Sequence, residues 1–219
     1  MSPLIFSMFA GLHLLKARVC LVSVFLYSMS EIFNAHVEIK PSALGGRGLF
    51  AKKKFSSGDV ILVEQPFFTV SSLPWEGIEQ ANSVDSVSSK KIFDAFQTLD
   101  ENSKRCFLDF TQAPIYGTDQ NIAGIFWTNC IDMEPNNDDS DMCMFPLTCL
   151  LNHSCKPTAV WKYMRTSKQI MTCAKCDMIA LSRKTSHFSL EPDAYDGKTF
   201  QEYLQHWYGF RCNCGFCED

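Results

Sequence analysis

The chain has no basic stripe. Its 20 lysine and arginine residues are spread thinly among 24 aspartate and glutamate residues, and the net charge is -4 at pH 7. Nucleic-acid-binding domains usually concentrate positive charge on one face, so direct nucleic-acid binding is not expected and a basic partner suits the charge better. Internal repeats and low-complexity segments are also missing. With 46% hydrophobic residues in 219, the chain can build one well-cored domain, alone or with a small satellite.

Long hydrophobic runs are absent too, because no apolar stretch reaches the roughly 20 residues needed to span a bilayer. The nearest approach is "LIFSMFAGLHLL" and "VCLVSVFLY", separated by "KAR". Residues 1–28 have three interpretations: a wrongly joined leader, a signal or anchor segment with Lys16 and Arg18 as its charged region, or a packed helix. The first is favoured, because "MSEIFNAHVEIK" from Met29 is typical of an ordinary N-terminus. No membrane association is then expected, and the location would be the nucleus, the cytoplasm or both.

From Met29 onward the pattern predicts short strands. "AHVEIKP", "LFAKKKF" and "VILVEQPFFTV" are bounded by the turn sequences "GGRG" and "SSGD", and "AVWKYM" with "QIMTCAKCDMI" predicts a strand pair. In residues 74–112 apolar side chains recur at helical spacings and predict a helical insert, and "TFQEYLQHWYGF" also predicts a helix. "EPNNDDSD" predicts a solvated acidic loop without a specific role. The alternative is a functional role, in which the loop steers a cationic substrate toward the site.

The eleven cysteines are clustered and odd in number, which favours reduced thiols and metal binding over a disulfide framework. "CNCGFC" places Cys212, Cys214 and Cys217 close enough to share one metal. A closed zinc site takes four ligands, so one more must come from elsewhere. The candidates are Cys155 and the "CAKC" pair at 173 and 176, but side chains alternate along a strand, which makes that pair structural. A flexible, oxidisable tail is the alternative to a metal site.

The polar run "NHSCKP", residues 152–157, follows the apolar "LTCLL". Buried polar groups are costly unless they are hydrogen-bonded, so this run needs a partner.

Four motifs together carry a family resemblance: "GGRGLFA", "GIFWTN", "LLNHSCKPTAVW" and "YGFRCNCGFC". Their order and spacing resemble those of SET-domain protein lysine methyltransferases with a cysteine-rich post-SET segment, over residues 36–219. The split-SET group, which includes the SET and MYND family, is the most similar branch. A MYND finger is missing, because Cys106 is the only cysteine between Cys20 and Cys130.

The resemblance implies an α+β fold, mainly β, with the β-clip-like pseudoknot of a SET domain. The SET domain would cover residues 36–211, with the helical insert at about 74–112, and the zinc-binding post-SET segment would cover 212–219. The zinc ligands would be Cys155, Cys212, Cys214 and Cys217.

The implied cofactor is S-adenosylmethionine. Glycine allows close backbone approach and positive φ, which suits a turn at the methionine end of the cofactor. The residues that the resemblance assigns to the cofactor are Gly46, Arg47, Gly48, Asn129, Asn152, His153 and Phe210. The cofactor would then be the partner that the polar run requires, and Phe210 would cover the adenine.

The implied substrate is a lysine-containing protein, histones included, and the protein is expected to be a monomer. Tyr208 would line the channel that admits the lysine, whose amine must be neutral to attack a methyl group.

The sequence departs from the family where a "GEE" turn and a strand ending in a catalytic tyrosine are usual. "ALSRKTSHFSLEPDAYDG" stands there, with Leu190 near the tyrosine position and Tyr195 as the nearest alternative. Two functions therefore stay open: a lysine methyltransferase with impaired turnover, and a catalytically inactive SET module that acts as a zinc-stabilised interaction domain. A purely structural zinc protein is less favoured, because the cofactor motifs are intact.

Overall fold

A computed structural model describes residues 36–42, 46–73, 86–134, 140–178, 185–186 and 199–213. The strands in these residues are short and form four small sheets. They are β1 (Val37–Pro41), β2 (Arg47–Ala51), β3 (Val60–Glu64), β4 (Phe68–Ser71), β5 (Ile131–Asp132), β6 (Asp141–Met144), β7 (Asn152–His153), β8 (Ala159–Met164), β9 (Gln169–Ala174) and β10 (Thr185–Ser186).

Most of the strand pairing is antiparallel. β1 and β2 form a hairpin, β3-β9-β8 form one three-stranded sheet, and β4-β6-β5 form another. β7 and β10 pair in parallel over two residues. The predicted β8–β9 strand pair is confirmed. "VILVEQPFFTV" is divided into β3 and β4 around Pro66, which has no N–H to donate to a sheet.

Within the described residues the helices are α1 (Val87–Gln97), α2 (Glu101–Leu108), α3 (Ile122–Asn129) and α4 (Phe200–Tyr208), with short 3-10 helices η1 (Pro114–Tyr116) and η2 (Thr148–Leu150). Capping side chains start several of them. Asp100 accepts from the backbone N–H groups of Asn102 and Ser103 at α2, and Thr199 forms a capping box with Glu202 at α4. α1 and α2 lie inside the range 74–112. In the part of the chain that the structure describes, no helix combines the length and apolarity needed to cross a membrane.

Phenylalanine side chains join the helices to β4. Phe68 stacks on Phe126 of α3 with 5.3 Å between ring centroids, and Phe96 of α1 meets Phe107 of α2 at 5.2 Å. Phe107 and Phe126 have no exposed surface. Aromatic burial of this kind contributes strongly to stability, so the helices and the second sheet share one core that supports the site described next.

Candidate functional site

The start of β2 lies directly against β7. Gly46 has φ +60°, which favours glycine, whereas Gly48 is required for space: a Cβ there would lie 2.4 Å from Nδ2 of Asn152. That Nδ2 atom donates to Ser42 Oγ at 3.2 Å and lies 3.5 Å from the carbonyl oxygen of Arg47. The structure therefore brings together three predicted cofactor positions, Gly46, Gly48 and Asn152.

The side chain of Arg47 is held by the end of α2. Its Nη2 donates to the carbonyl oxygen of Asp109 at 2.7 Å, its Nη1 lies 3.8 Å from the Asp109 carboxylate, and the guanidinium lies 5.6 Å from the centroid of the Phe110 ring. These contacts fasten the glycine turn to the helical region.

The amide of Asn129 is engaged within the protein. Its Nδ2 donates to the carbonyl oxygens of Thr111 at 2.8 Å and Ile125 at 2.7 Å. An amide nitrogen carries two hydrogens, so a ligand contact by this side chain would use Oδ1. The main-chain carbonyl of Asn129 accepts from the Cys149 thiol at 3.1 Å, which ties α3 to η2.

A group of metal-binding side chains lies beside Asn152. The ligand atoms of His153, Cys155 and Cys212 all lie within 4.8 Å of one another, and the Nε2 atom of His153 is 3.5 Å from Sγ of Cys155. Imidazole nitrogen and thiolate sulfur are the donors that zinc prefers, at about 2.0 to 2.3 Å. These three side chains could all bind one zinc ion, or some could bind it while another forms a hydrogen bond to a ligand.

Two of the four predicted zinc ligands, Cys155 and Cys212, therefore lie together, while Cys214 and Cys217 fall outside the described residues. The side-chain amide of Gln201 on α4 holds the main chain of Cys212. Its Nε2 donates to the Cys212 carbonyl oxygen and its Oε1 accepts from the Cys212 N–H, each at 2.9 Å. The position of His153 in this group was not predicted, because its motif assigned it to the cofactor. Cys173 lies on β9 and Cys176 is exposed beyond the end of that strand, and neither belongs to a metal-binding group among the residues described.

Aromatic rings cover the buried imidazole of His153. The rings of Phe200 and Phe210 lie 5.4 Å and 6.1 Å from it, measured between centroids. Gly209, with φ +75°, ends α4 in the left-handed conformation and turns the chain toward Phe210. Phe210 thus adjoins the segment that the family resemblance assigned to the cofactor.

Tyr208 belongs to a group of tyrosines between α4 and η1. Its ring lies 6.2 Å from that of Tyr203, and burial, followed by the nearby Tyr203, raises the pKa of its hydroxyl. Burial also raises the pKa of Tyr116 on η1. Both hydroxyls therefore stay protonated at neutral pH. Tyr116 was not predicted, since a single tyrosine in the short segment "APIYG" carries no sequence signal. Tyr195 lies outside the described residues.

Comparison with known families identifies the chain. The SET domain family model matches residues 46–180, which is more than half of the sequence. The protein therefore belongs to the SET domain family. No curated protein matches it.

Two solved structures are similar in part. The SET domain of LSMT, solved bound to lysine and AdoHcy, has 15% sequence identity and a TM-score of 0.50, over 88% of this chain and 57% of that chain. A candidate histone methyltransferase of Plasmodium falciparum has 14% identity and a TM-score of 0.38, over 72% of this chain and 96% of that chain. The first similarity shows the SET fold.

Proposed function

We propose that this protein binds S-adenosylmethionine and transfers its methyl group to a lysine side chain of a protein. The observation that carries the proposal is the meeting of the glycine turn with Asn152, next to His153 and Phe210. Family membership and the AdoHcy and lysine bound to the LSMT domain support it. The cofactor would supply an electrophilic methyl group on a sulfonium.

The residues of this chain would bind and orient the reactants. Gly46 and Gly48 would let the turn approach the amino-acid end of the cofactor, with the Asn152 amide beside Gly48, and Asn129 would use its Oδ1 atom at the same end. Phe210 would cover the adenine. Tyr208 would line the lysine channel with a hydroxyl that stays protonated, and a channel that excludes water would keep the amine neutral.

Zinc would hold the C-terminal segment over this site. In our proposal Cys155 and Cys212 supply two ligands, Cys214 and Cys217 supply the others, and Nε2 of His153 donates to a thiolate. This arrangement would connect α4 and Phe210 to the Asn152–His153 strand through one ion. Metal removal should therefore weaken cofactor binding as well as loosen the tail.

The finer assignments extend the same proposal. The protein would belong to the split-SET group, act as a monomer in the nucleus or cytoplasm, and methylate lysine in proteins that include histones. Turnover would be low, because the sequence lacks a recognisable "GEE" turn and catalytic tyrosine strand. That stretch lies largely outside the described residues, so Tyr195 stays a prediction.

Calorimetric titration of the zinc-assayed protein with S-adenosylmethionine tests binding, and transfer of a labelled methyl group to histones or a cell lysate tests chemistry. Asn152→Ala should weaken binding, whereas Gln97→Ala, on an exposed part of α1, should not. Tyr208→Phe should lower transfer more than binding. Zinc-loaded protein that binds no cofactor would contradict the proposal, and binding without any transfer would favour the inactive interaction module.

A further inference from the structure

Glu64, the last residue of β3, holds the start of η2. Its two carboxylate oxygens accept from two consecutive backbone amides: the N–H of Leu147 at 2.8 Å and the N–H of Thr148 at 2.5 Å. The two partners lie 83 and 84 residues away in sequence. A carboxylate that accepts two amide hydrogens forms charge-assisted hydrogen bonds, which are stronger than neutral ones.

η2 is fixed on its other sides as well. The hydroxyl of Thr148 lies 3.3 Å from that of Thr172 on β9, and both residues are buried. The thiol of Cys149 donates to the main-chain carbonyl of Asn129. A segment of three residues is thus attached to the β3-β9-β8 sheet and to α3.

The chain passes from η2 to the proposed cofactor residues almost at once. η2 ends at Leu150, Leu151 is buried, and β7 begins at Asn152. So short a connection transmits a displacement of η2 directly to Asn152, whose amide must stay between Ser42 and Gly48. An error of about 1 Å in a binding group is enough to matter for orientation.

The ionisation of Glu64 bears on both of these hydrogen bonds. Although the residue as a whole is half-buried, withdrawal of its carboxyl group from water raises its pKa from 4.5 to about 7, against the smaller lowering effect of its hydrogen bonds to Thr148 and Leu147. Among the described residues, the Cys149 thiol on η2 lies close enough to interact with Glu64, and burial keeps this thiol protonated by raising its pKa. On β9 the apolar Ile170 lies opposite Glu64. The ionised carboxylate accepts hydrogen bonds from both amides. In the protonated form one of the two oxygens carries a hydrogen and becomes a poor acceptor.

We propose that Glu64 is a positioning residue: through η2 it sets the place of Asn152 and His153, and it makes cofactor affinity depend on its ionisation. The inference rests on the proposed binding of S-adenosylmethionine. Glu64 itself touches neither reactant. Its influence would pass only through the two amides and the short connection to β7.

The test compares wild type with Glu64→Gln, using S-adenosylmethionine titrations from pH 6 to 8.5. The glutamine amide can accept one N–H but presents its own NH2 to the other, so affinity at pH 8 should fall about 10- to 100-fold. Wild-type affinity for S-adenosylmethionine should decline as the pH drops through about 7. This decline should be steeper than any pH dependence of affinity in Glu64→Gln. Glu38→Gln on β1, whose carboxylate pairs with Lys40 at 2.6 Å, serves as the matched control and should behave as wild type.

Stability distinguishes positioning from a merely structural role. The folded-state pKa of Glu64 is raised, so its contribution to stability is fully present below the unfolded pKa of about 4.5 and is lost as pH rises through about 7. Glu64→Gln removes a costly buried charge, and its melting temperature at pH 8 should stay near that of wild type while its affinity falls. Affinity and stability therefore change in opposite directions with pH.

Equal affinity of Glu64→Gln and wild type across the pH range would overturn this inference alone. Wild-type protein that binds no cofactor at any pH would overturn the proposed function, and this inference with it. Should the variant fail to fold, backbone hydrogen exchange of the wild type decides: faster exchange at Leu147 and Thr148 as pH falls from 8 to 6, after correction for intrinsic rates, is expected, and pH-independent protection there would refute the role.

Discussion

Gly48→Ala should disturb the site through a single contact. The backbone at this position needs no positive φ, so the added methyl group acts by its volume alone. That methyl would lie 2.4 Å from Nδ2 of Asn152 and 3.2 Å from Cε2 of Phe50. The first distance is about 1 Å shorter than an ordinary van der Waals contact, so the amide of Asn152 has to move.

The cost can be worked from the contacts that the amide loses. Moving Nδ2 by about 1 Å breaks its 3.2 Å hydrogen bond to Ser42 and its weaker 3.5 Å contact with the Arg47 carbonyl. A hydrogen bond contributes about 0.5 to 1.5 kcal/mol net, and overpacking adds about 1 to 3 kcal/mol. We expect a loss of about 1 to 3 kcal/mol in the free energy of unfolding, and a drop in S-adenosylmethionine affinity of about ten-fold or more.

The assay is a double-mutant cycle by urea unfolding. Asn152→Ala removes the group that the methyl would strike, so Gly48→Ala should cost clearly less in that background, with only the Phe50 contact remaining. A coupling free energy of about 1 kcal/mol or more is expected between residues in such contact. Additive losses would show that Asn152 is not the obstacle, and the argument for the glycine at 48 would fail.

Three further outcomes follow from the same geometry. Cys155→Ser and Cys212→Ser should each lower zinc content in metal analysis, whereas Cys173→Ser should leave it unchanged; retention of full zinc by Cys155→Ser would remove that residue from the site. Phe107→Ala should lower the free energy of unfolding by about 3 to 5 kcal/mol, because its ring is fully buried, whereas Leu108→Ala, 43% exposed, should change it by about 0.5 kcal/mol or less; similar losses would contradict the described core. Arg47→Met should cost at most about 1 kcal/mol of stability in thermal unfolding, since its ion pair with Asp109 is partly exposed, and a larger loss would indicate a greater structural role for the guanidinium.

Local patterns predicted the elements that bury one face. β8 and β9 follow from their strand-forming residues, and α4 follows from the helical spacing of its apolar residues. α3 carries no such pattern, because Ile125 and Phe126 are buried among further apolar residues and leave no clear polar face.

Contacts between distant residues could not be predicted in this way. Glu64 looks like an ordinary polar residue at a strand end, and the Leu147 and Thr148 amides that it binds leave no mark on the sequence. The meeting of Cys155 with Cys212 was expected from the family resemblance, after the ligand count of zinc had left Cys155 among the candidates. The approach of His153 to both cysteines depends on how β7 is placed. Where such contacts were expected, as between Cys155 and Cys212, the family motifs indicated them and hydrophobic periodicity did not.

The pairing of β3 with β9 also constrains how the protein is made. Val60 pairs with Cys173, so more than a hundred residues must leave the ribosome before β3 finds its partner. α1, α2 and α3 lie between these strands and can form earlier, since their contacts are local. Pairings between such distant residues are slow to form, and until β9 arrives the apolar Ile61 and Leu62 of β3, which are buried in the folded protein, stay exposed on the nascent chain. The newly synthesised protein is therefore most prone to aggregation, and most dependent on chaperones, during that interval.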